Sequence, residues 1–237
     1  MQVETLPVTQ FYGIAAFRYS AYDTPFWARD NKTSGRWNST GTGATQYLSL
    51  HPDGAWAELA RHENLRTEEE LAEVRTTLWT ATVHQLNVVD YSNFTKAEKA
   101  GFPPDALIDD DHTRCQEEAV RLRKLGHAGV LTPSAALPGA VNLTIFGRRV
   151  RTTFGIDSRL ASAIPACAVA VGSPPPGLAS RVRYVGEVHT GYEAYLDLVA
   201  ERNRQDQVSP PVAEDEEREL EAQQPGIGDE EQEEERG

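Results

Sequence analysis

The sequence predicts an α+β domain with a mixed sheet rather than a doubly wound parallel sheet. Short segments rich in Thr, Val and aromatic residues are interspersed with short helical segments, without the regular strand–helix alternation that a parallel sheet needs. Hydrophobic residues make up 39% of the 237 residues, which is below the usual share, and the shortfall is concentrated at the C-terminus. One domain of ordinary size with a tail is therefore expected.

Strand predictions follow apolar and β-branched runs. The first strand is residues 10–17 (QFYGIAAF), which ends just before Arg18 and is followed by a polar loop. In chain order the other candidates are 45–50, one or two strands within 76–90, 129–132, 141–146, 167–171 and 181–188.

Helix predictions rest on capping residues and on the helical spacing of apolar side chains. The turn residues 51–54 lead into a helix with Glu58 at the edge of its apolar stripe. Thr67 and Glu70 form a capping-box pattern that starts a second helix. Further helices are expected at about 113–125, after three aspartates that favour a helix N-terminus, and at 191–203.

The C-terminal residues form a separate compositional region. Residues 209–237 contain 12 acidic and 2 basic residues, a net charge of −10, whereas the whole chain carries −13. We therefore expect a domain at residues 1–204 and a disordered acidic tail at residues 205–237. The nearly neutral body lacks the basic face that non-specific nucleic-acid binding requires, so we expect no direct nucleic-acid partner.

Targeting and redox features predict a soluble cytoplasmic protein. The N-terminus has an early Glu4 and no signal-peptide pattern, and the uncharged stretch 160–180 is interrupted by prolines and too short in its apolar part to span a membrane. Cys115 and Cys167 have neither disulfide-framework nor zinc-site spacing.

Residues 17–65 concentrate side chains suited to a phosphorylated ligand that carries a stackable ring. Arg18 and Tyr19 end the first strand, and Arg36, Trp37 and Asn38 follow the polar loop. A guanidinium can hold two phosphate oxygens in parallel hydrogen bonds, although a lone arginine is more often a surface ion-pair partner.

Three further residues are candidates, each with a commoner structural explanation. Tyr47 could stack on a base or pyridine ring, as could Tyr19, but a strand tyrosine more often packs in a core. Glu58 could stabilise a developing cation or orient a nucleophile, but it could equally be a solvated helix residue. Ser134 follows a proline at a strand end and by itself says little.

Metal and nucleotide-loop motifs are not found. The histidines lack metal-ligand spacing, and the aspartates 109–111 beside His112 are better explained by a helix N-terminus, so we expect no metal. The glycines at 41 and 43 lack the lysine of a phosphate-binding loop and the spacing of a dinucleotide fold, which favours a simple turn.

The order of several segments resembles the RES domain, a family named for an arginine, a glutamate and a serine. The segments are FRYS, GRWNSTG, TQYLSL, AWAEL, LNVVDYS and GHAGVLTPSAALPGAVNLTIF. The resemblance covers about residues 11–146 and continues more weakly to Val188. It implies a fold similar to ADP-ribosyltransferases of the diphtheria-toxin kind, with a mixed sheet core and flanking helices.

The resemblance also implies a function. RES proteins look like toxins of bacterial toxin–antitoxin pairs that consume NAD+ by cleaving the nicotinamide–ribose bond, by hydrolysis or phosphorolysis. The implied partner is an antitoxin with an Xre-type helix-turn-helix domain. NAD+ would be the substrate and no cofactor would be needed. An ADP-ribosyltransferase acting on a macromolecule and a catalytically silent NAD-binding module are the alternatives, and a homo-oligomer is compatible with each.

The family's roles carry over to this sequence by position. The named arginine corresponds to Arg36 or Arg18, the glutamate to Glu58 and the serine to Ser134. NAD-binding positions are Arg18 and a set of aromatic and polar residues, which are Tyr19, Trp37, Asn38 and Tyr47.

Overall fold

A mixed sheet of eight strands forms the centre of the part of the chain that the structure describes. The structure is a computed structural model, and it describes residues 6–10, 14–20, 33–83, 87–147 and 169–208. The strands are β1 (Val8–Gln10), β2 (Ile14–Ser20), β3 (Thr45–Ser49), β4 (Thr76–Val83), β5 (Asn87–Asp90), β6 (Gly129–Pro133), β7 (Val141–Phe146) and β8 (Val169–Gly172). Their order is β1-β5-β6-β7-β3-β2-β4-β8, and only β5 and β6 are parallel neighbours.

Five α-helices lie within the described ranges. They are α1 (Pro52–Glu63), α2 (Glu68–Glu73), α3 (Phe94–Lys99), α4 (Thr113–Lys124) and α5 (Thr190–Val208). Short 3₁₀ turns lie at Asp105–Leu107 and Ala179–Arg181. The sheet belongs to a compact unit that ends at Leu196, and the described remainder of α5 belongs to a second unit.

The sheet forks between β2 and β3. These strands share the single register pair Phe17–Ser49, whereas β3 pairs with β7 from Thr45 to Ser49 and β2 pairs with β4 along its whole length. Helix α1 follows β3 directly and packs across the fork. The fork therefore places the helix that carries Glu58 beside the end of β2.

Strand alternation divides the apolar core into two clusters on opposite faces of the sheet. One cluster consists of side chains from the strands themselves, which are Ala16, Leu48, Val88, Leu131, Leu143 and Ile145. The other packs under α1 and contains Trp56, Ala57, Leu59, Ala60, Leu71, Ala136, Leu137, Leu178, Val182 and Tyr184. Gly54 is required at this contact, because a Cβ there would lie 2.1 Å from the Ser49 Oγ.

The helix signals in the sequence are confirmed for α1, α2 and α4. His51 caps α1 by accepting from the Asp53 N–H at 3.1 Å. The capping box of Thr67 and Glu70 is present at α2. Helix α4 starts at Thr113, where the preceding acidic residue Asp111 accepts from the helix N–H at 2.9 Å.

The elements differ from the predictions at three places besides residues 181–188. The predicted strand at 10–17 is two strands, and residues 11–13 lie outside the described part. Helix α3 was not predicted. Helix α5 continues to Val208, into the segment predicted as tail, while residues 209–237 are not described. The boundary at residue 204 stays a prediction.

The predicted strand at 181–188 is wrong. Ala179–Arg181 is a 3₁₀ turn and no strand follows it up to α5. Val182, Arg183 and Tyr184 are buried in succession, which an alternating strand with one solvent face does not allow. This segment instead bonds to the turn after β6 through the Arg183 N–H and the Ala136 carbonyl at 2.8 Å.

Candidate active site

Three side chains that are distant in sequence meet at one carboxylate oxygen. The Ser134 hydroxyl donates to the Glu58 Oε1 at 2.9 Å, and the Asn142 Nδ2 donates to the same oxygen at 2.7 Å. Glu58 is half-buried, whereas Ser134 is 0% exposed. Two donors on one oxygen fix the orientation of the carboxylate, and neither of them occupies Oε2.

The Ser134 hydroxyl uses its full hydrogen-bonding capacity within the protein. Its oxygen accepts from the Ala136 N–H at 3.2 Å and from the Leu137 N–H at 3.0 Å, and its proton goes to Glu58. A hydroxyl offers one donor and two acceptor positions. The geometry therefore suits a residue that orients Glu58 better than one that attacks a substrate.

Asn142 is a site residue that the sequence analysis missed. It lies in β7 in register with Ser49 of β3 and Thr132 of β6. Its Nδ2 binds Glu58, but its Oδ1 is buried and has no hydrogen-bond partner among the described residues. A buried acceptor without a partner is costly, so it favours a ligand that brings a donor. A polar residue inside the apolar run VNLTIF is the signal that could have revealed it.

The Tyr47 hydroxyl is hydrogen-bonded to two residues of the 33–44 loop. Its hydroxyl accepts from the Trp37 N–H at 2.9 Å and donates to the Asn38 Oδ1 at 2.6 Å. Burial raises the pKa of Tyr47 well above its ordinary value, so the hydroxyl stays protonated. Gly35 is needed beside it, because a Cβ there would lie 2.8 Å from the hydroxyl oxygen.

Trp37 and Asn38 are placed in the interior. Trp37 is 1% exposed and its ring centroid lies 6.1 Å from that of Phe102. Asn38 is equally buried and donates to the Thr33 carbonyl at 2.9 Å. Both side chains are therefore enclosed by protein, and their contacts hold the 33–44 loop in this conformation.

The two candidate arginines occupy different surroundings. Arg36 is half-buried, and its Nη1 donates to the carbonyls of Ala106 at 3.3 Å and Asp109 at 2.6 Å. Arg18 is also half-buried and lies in β2 in register with Trp79, one residue from the fork. Alternation places Arg18 on the Ala16 side of β2, whereas α1 and Glu58 lie over the other side. Tyr19 pairs with Leu78 through its backbone, and its side chain is outside the described part.

Comparison with known proteins identifies the family to which this part of the chain belongs. The RES domain, as a protein family, matches residues 10–162. The chain belongs to the RES domain family. The matched residues include β2, the 33–44 loop, α1, the Ser134 turn and Asn142 of β7, so the site described above lies inside the family's domain.

A curated protein and a solved structure that resemble this RES domain both come from Mycobacterium tuberculosis. A protein of strain ATCC 25618 / H37Rv named "Probable NAD(+) phosphorylase" is 35% identical over 112 residues, which are 47% of this chain and 53% of the relative. The chain thus spans about half the length of that curated relative. The crystal structure of the M. tuberculosis MbcT-MbcA toxin-antitoxin complex matches with a TM-score of 0.51 and 25% identity, over 60% of this chain and 78% of that chain. The predicted α+β class with flanking helices is confirmed.

The sequence analysis also missed a network of Arg61, Asp110 and Arg183 next to Glu58 in this RES domain. Arg61 follows Glu58 by one turn of α1 and binds the Asp110 carboxylate at 2.5 Å and the Arg183 carbonyl at 2.8 Å. Burial opposes ionisation of Asp110, but the Gly186 N–H, Arg61 and Arg183 outweigh it and lower the pKa of the carboxyl. The network ties α1 to the segment that precedes α5.

The described residues form neither a metal site nor a membrane-spanning helix. Among them, no group of three or more His, Cys, Asp or Glu side chains is arranged to hold a metal ion. No described helix combines the length and apolar character needed to cross a membrane.

Proposed function

We propose that this RES domain is an NAD+-consuming enzyme that cleaves the nicotinamide–ribose bond, with phosphate or water as the acceptor. The observation that carries the proposal is the Glu58 carboxylate, held through Oε1 by Ser134 and Asn142 beside the fork of the sheet. The name of the M. tuberculosis relative supports NAD+ as substrate and favours phosphate as acceptor.

The reaction needs one well-placed negative charge. The bond from the ribose C1′ to the nicotinamide nitrogen breaks, and its electron pair leaves with nicotinamide as a neutral ring. The sugar then resembles an oxocarbenium ion, as in glycoside cleavage. The Glu58 charge, presented through Oε2, stabilises this cation. An oxygen of phosphate or water forms the new bond to C1′, and any proton it releases passes to solvent.

We assign roles to the residues around Glu58 from the contacts that they make. Ser134 orients Glu58, and the unpaired Asn142 Oδ1 accepts from a hydroxyl or amide of the substrate. Arg36 binds the pyrophosphate side of NAD+, which requires exchange of its carbonyl partners for phosphate oxygens. Arg18 lies on the side of β2 away from Glu58 but one residue from the fork, so it binds only a part of NAD+ that extends through the fork.

The aromatic residues complete the proposed NAD+ site. The half-buried ring of Tyr47, together with Tyr19, borders the nicotinamide. Trp37 and Asn38 hold the loop that carries Arg36 in place. NAD+ is the substrate in this proposal, and the protein needs neither a metal nor a resident cofactor.

A protein antitoxin is the proposed partner, because a chain of similar structure is part of a toxin–antitoxin complex. We propose that it carries an Xre-type helix-turn-helix domain and that the chain acts in the bacterial cytoplasm. Residues 1–204 would form the enzyme, with the acidic residues 205–237 outside it.

Nicotinamide release from NAD+ by the purified chain, measured with and without phosphate, tests the function. Release that yields a phosphorylated ADP-ribose identifies phosphorolysis, and free ADP-ribose identifies hydrolysis. Release that requires an added macromolecule, with the ADP-ribose attached to it, would favour the transferase. A folded protein that releases no nicotinamide under any of these conditions contradicts the proposal.

Glu58→Gln provides the decisive variant. The substitution preserves the shape and the two hydrogen bonds to Oε1 but removes the charge, so we expect nicotinamide release to fall by about 10²–10³-fold. Glu63→Gln is the matched control, because Glu63 is exposed at the C-terminal end of the same helix. Equal turnover by Glu58→Gln and Glu63→Gln would remove Glu58 from the mechanism.

A further inference from the structure

We propose that His189 is a positioning residue for the Ser134 turn, so that the segment leading into α5 is part of the active site although it follows the family-matched residues. The inference rests on the proposed function. His189 does not touch Glu58; it acts through the residue that holds Glu58.

The hydrogen bonds of His189 define its tautomer. The Nδ1 accepts from the Tyr192 N–H at 3.1 Å, and the Nε2 lies 3.1 Å from the Ser134 carbonyl oxygen. A neutral imidazole has one donor and one acceptor nitrogen. Because Nδ1 accepts, the proton is on Nε2, and His189 donates to Ser134.

Packing holds the imidazole in this orientation. His189 is 3% exposed. The edge of the ring system meets Phe94, with centroids 5.6 Å apart at 86°. A Cβ on Gly191 would lie 3.2 Å from the His189 Cε1, so the glycine leaves the room that the ring occupies. Burial lowers the pKa of His189, which favours the neutral ring that these hydrogen bonds require.

The segment that leads into α5 makes further hydrogen-bond contacts with the Ser134 turn. The Arg183 N–H donates to the Ala136 carbonyl at 2.8 Å. Arg61 bridges the Ala135 carbonyl at 3.4 Å and the Arg183 carbonyl at 2.8 Å. The turn is therefore bound on its backbone by residues 183 and 189, while its hydroxyl points to Glu58.

The consequence for catalysis follows from the short path between these groups. The Ser134 carbonyl and hydroxyl belong to one residue, so a shift of its peptide displaces the hydroxyl that orients Glu58. A displacement of about 1 Å in a catalytic arrangement can lower rates about 10²-fold. Because His189 lies behind the turn, we expect the effect in kcat and little change in KM.

Two substitutions separate this role from the helix cap. His189→Asn keeps an oxygen at the Nδ1 position, where asparagine is a favourable helix cap for the Tyr192 N–H, but it is too short to reach Ser134. His189→Gln places an amide N–H near the Nε2 position and restores the donor. We expect His189→Asn to lower kcat about ten- to hundred-fold at unchanged KM, together with a lower Tm because a buried hydrogen bond and ring contacts are lost, and His189→Gln to recover most of the loss of kcat.

Amide hydrogen exchange supplies a readout that does not depend on turnover. The N–H groups of Ala136 and Leu137 bond to the Ser134 Oγ, so their protection reports the turn directly. We expect faster exchange in His189→Asn than in the parent and in His189→Gln.

The outcomes distinguish this inference from the proposed function. If the parent protein releases no nicotinamide, the proposed function fails, and the exchange rates still judge the contact between His189 and Ser134. Parent-like kcat and protection in His189→Asn would overturn the positioning role. Equal losses of kcat or protection in both variants would overturn it too, because the restored donor would then have no effect.

Discussion

The Glu58 cluster and the Tyr47 cluster contain similar residue types but differ in how completely their hydrogen bonds are satisfied. The Tyr47 hydroxyl both donates and accepts within the protein, and Asn38 is bound at both ends of its amide. In contrast, Glu58 receives both donors on Oε1, and the buried Asn142 Oδ1 has no partner among the described residues. The first cluster is complete as folded, whereas the second has capacity left for a ligand.

This difference separates polar groups that build the frame from polar groups that meet the substrate, and it assigns the Tyr47 hydroxyl, though not the Tyr47 ring, to the frame. A satisfied polar cluster contributes stability and rigidity, and an unsatisfied buried group near a carboxylate is tolerated where function requires it. The comparison predicts that substitutions in the Tyr47 cluster change mainly stability, and that substitutions in the Glu58 cluster change mainly activity.

After Glu58→Gln, removal of the Ser134 hydroxyl should give the largest effect. Ser134→Ala deletes a donor to Glu58 and the acceptor for the Ala136 and Leu137 N–H groups. We expect kcat/KM for nicotinamide release to fall by about 10²-fold, the scale for loss of one preorganised group. The free energy of unfolding should fall by about 1–3 kcal/mol, because two N–H groups lose their partner.

Kinetics and urea unfolding of the same preparation test the predicted losses of kcat/KM and of stability in Ser134→Ala. Ser180→Ala is the control, because its hydroxyl binds one carbonyl at the exposed 3₁₀ turn. Parent-like kcat/KM in Ser134→Ala, together with the expected loss of stability, would place Ser134 in the frame and break the distinction drawn above.

Tyr47→Phe should affect stability with much less effect on activity. The substitution keeps the ring but leaves the Trp37 N–H and the Asn38 Oδ1 without their partner. We expect unfolding to become easier by about 1–3 kcal/mol, with kcat/KM close to that of the parent. Thermal unfolding and NAD+ turnover measure the two quantities. A large loss of kcat/KM without a loss of stability would show that the hydroxyl, rather than the frame it maintains, serves the reaction.

The local parts of this arrangement could be predicted from the sequence. The turn chemistry at 51–54 and the apolar stripe after it correctly located the helix that carries Glu58, and the family segment located Ser134 before β7. The burial of Trp37 could not be predicted, because it depends on packing against Phe102, which lies far along the chain.

The contacts between distant segments explain the remaining differences. Asn142 reaches Glu58 across 84 positions, and that contact depends on the register of three strands that no local pattern specifies. The stretch 181–188 alternates like a strand, but its backbone and side chains bind the Ser134 turn and the Asp110 region instead. Local periodicity cannot report such partners.

The smallest expected effect is a change of stability with pH at two histidines, the half-buried His112 and the buried His189. Burial, followed by Arg36 and Arg61, lowers the pKa of His112, and burial also lowers that of His189, near Arg183 and Arg61. The unfolded chain binds a proton near its ordinary pKa of about 6.5, while the folded chain binds it only at lower pH. The unfolded state therefore binds more protons below that pH, and stability falls as pH falls.

Urea midpoints at pH 7.5 and 5.5 should show a smaller decrease for His189→Asn than for the parent, and an unchanged decrease for the exposed-site control His62→Asn. An identical decrease in all three proteins would mean that His189 does not contribute to the acid sensitivity, and that the link between α5 and the Ser134 turn is insensitive to protonation.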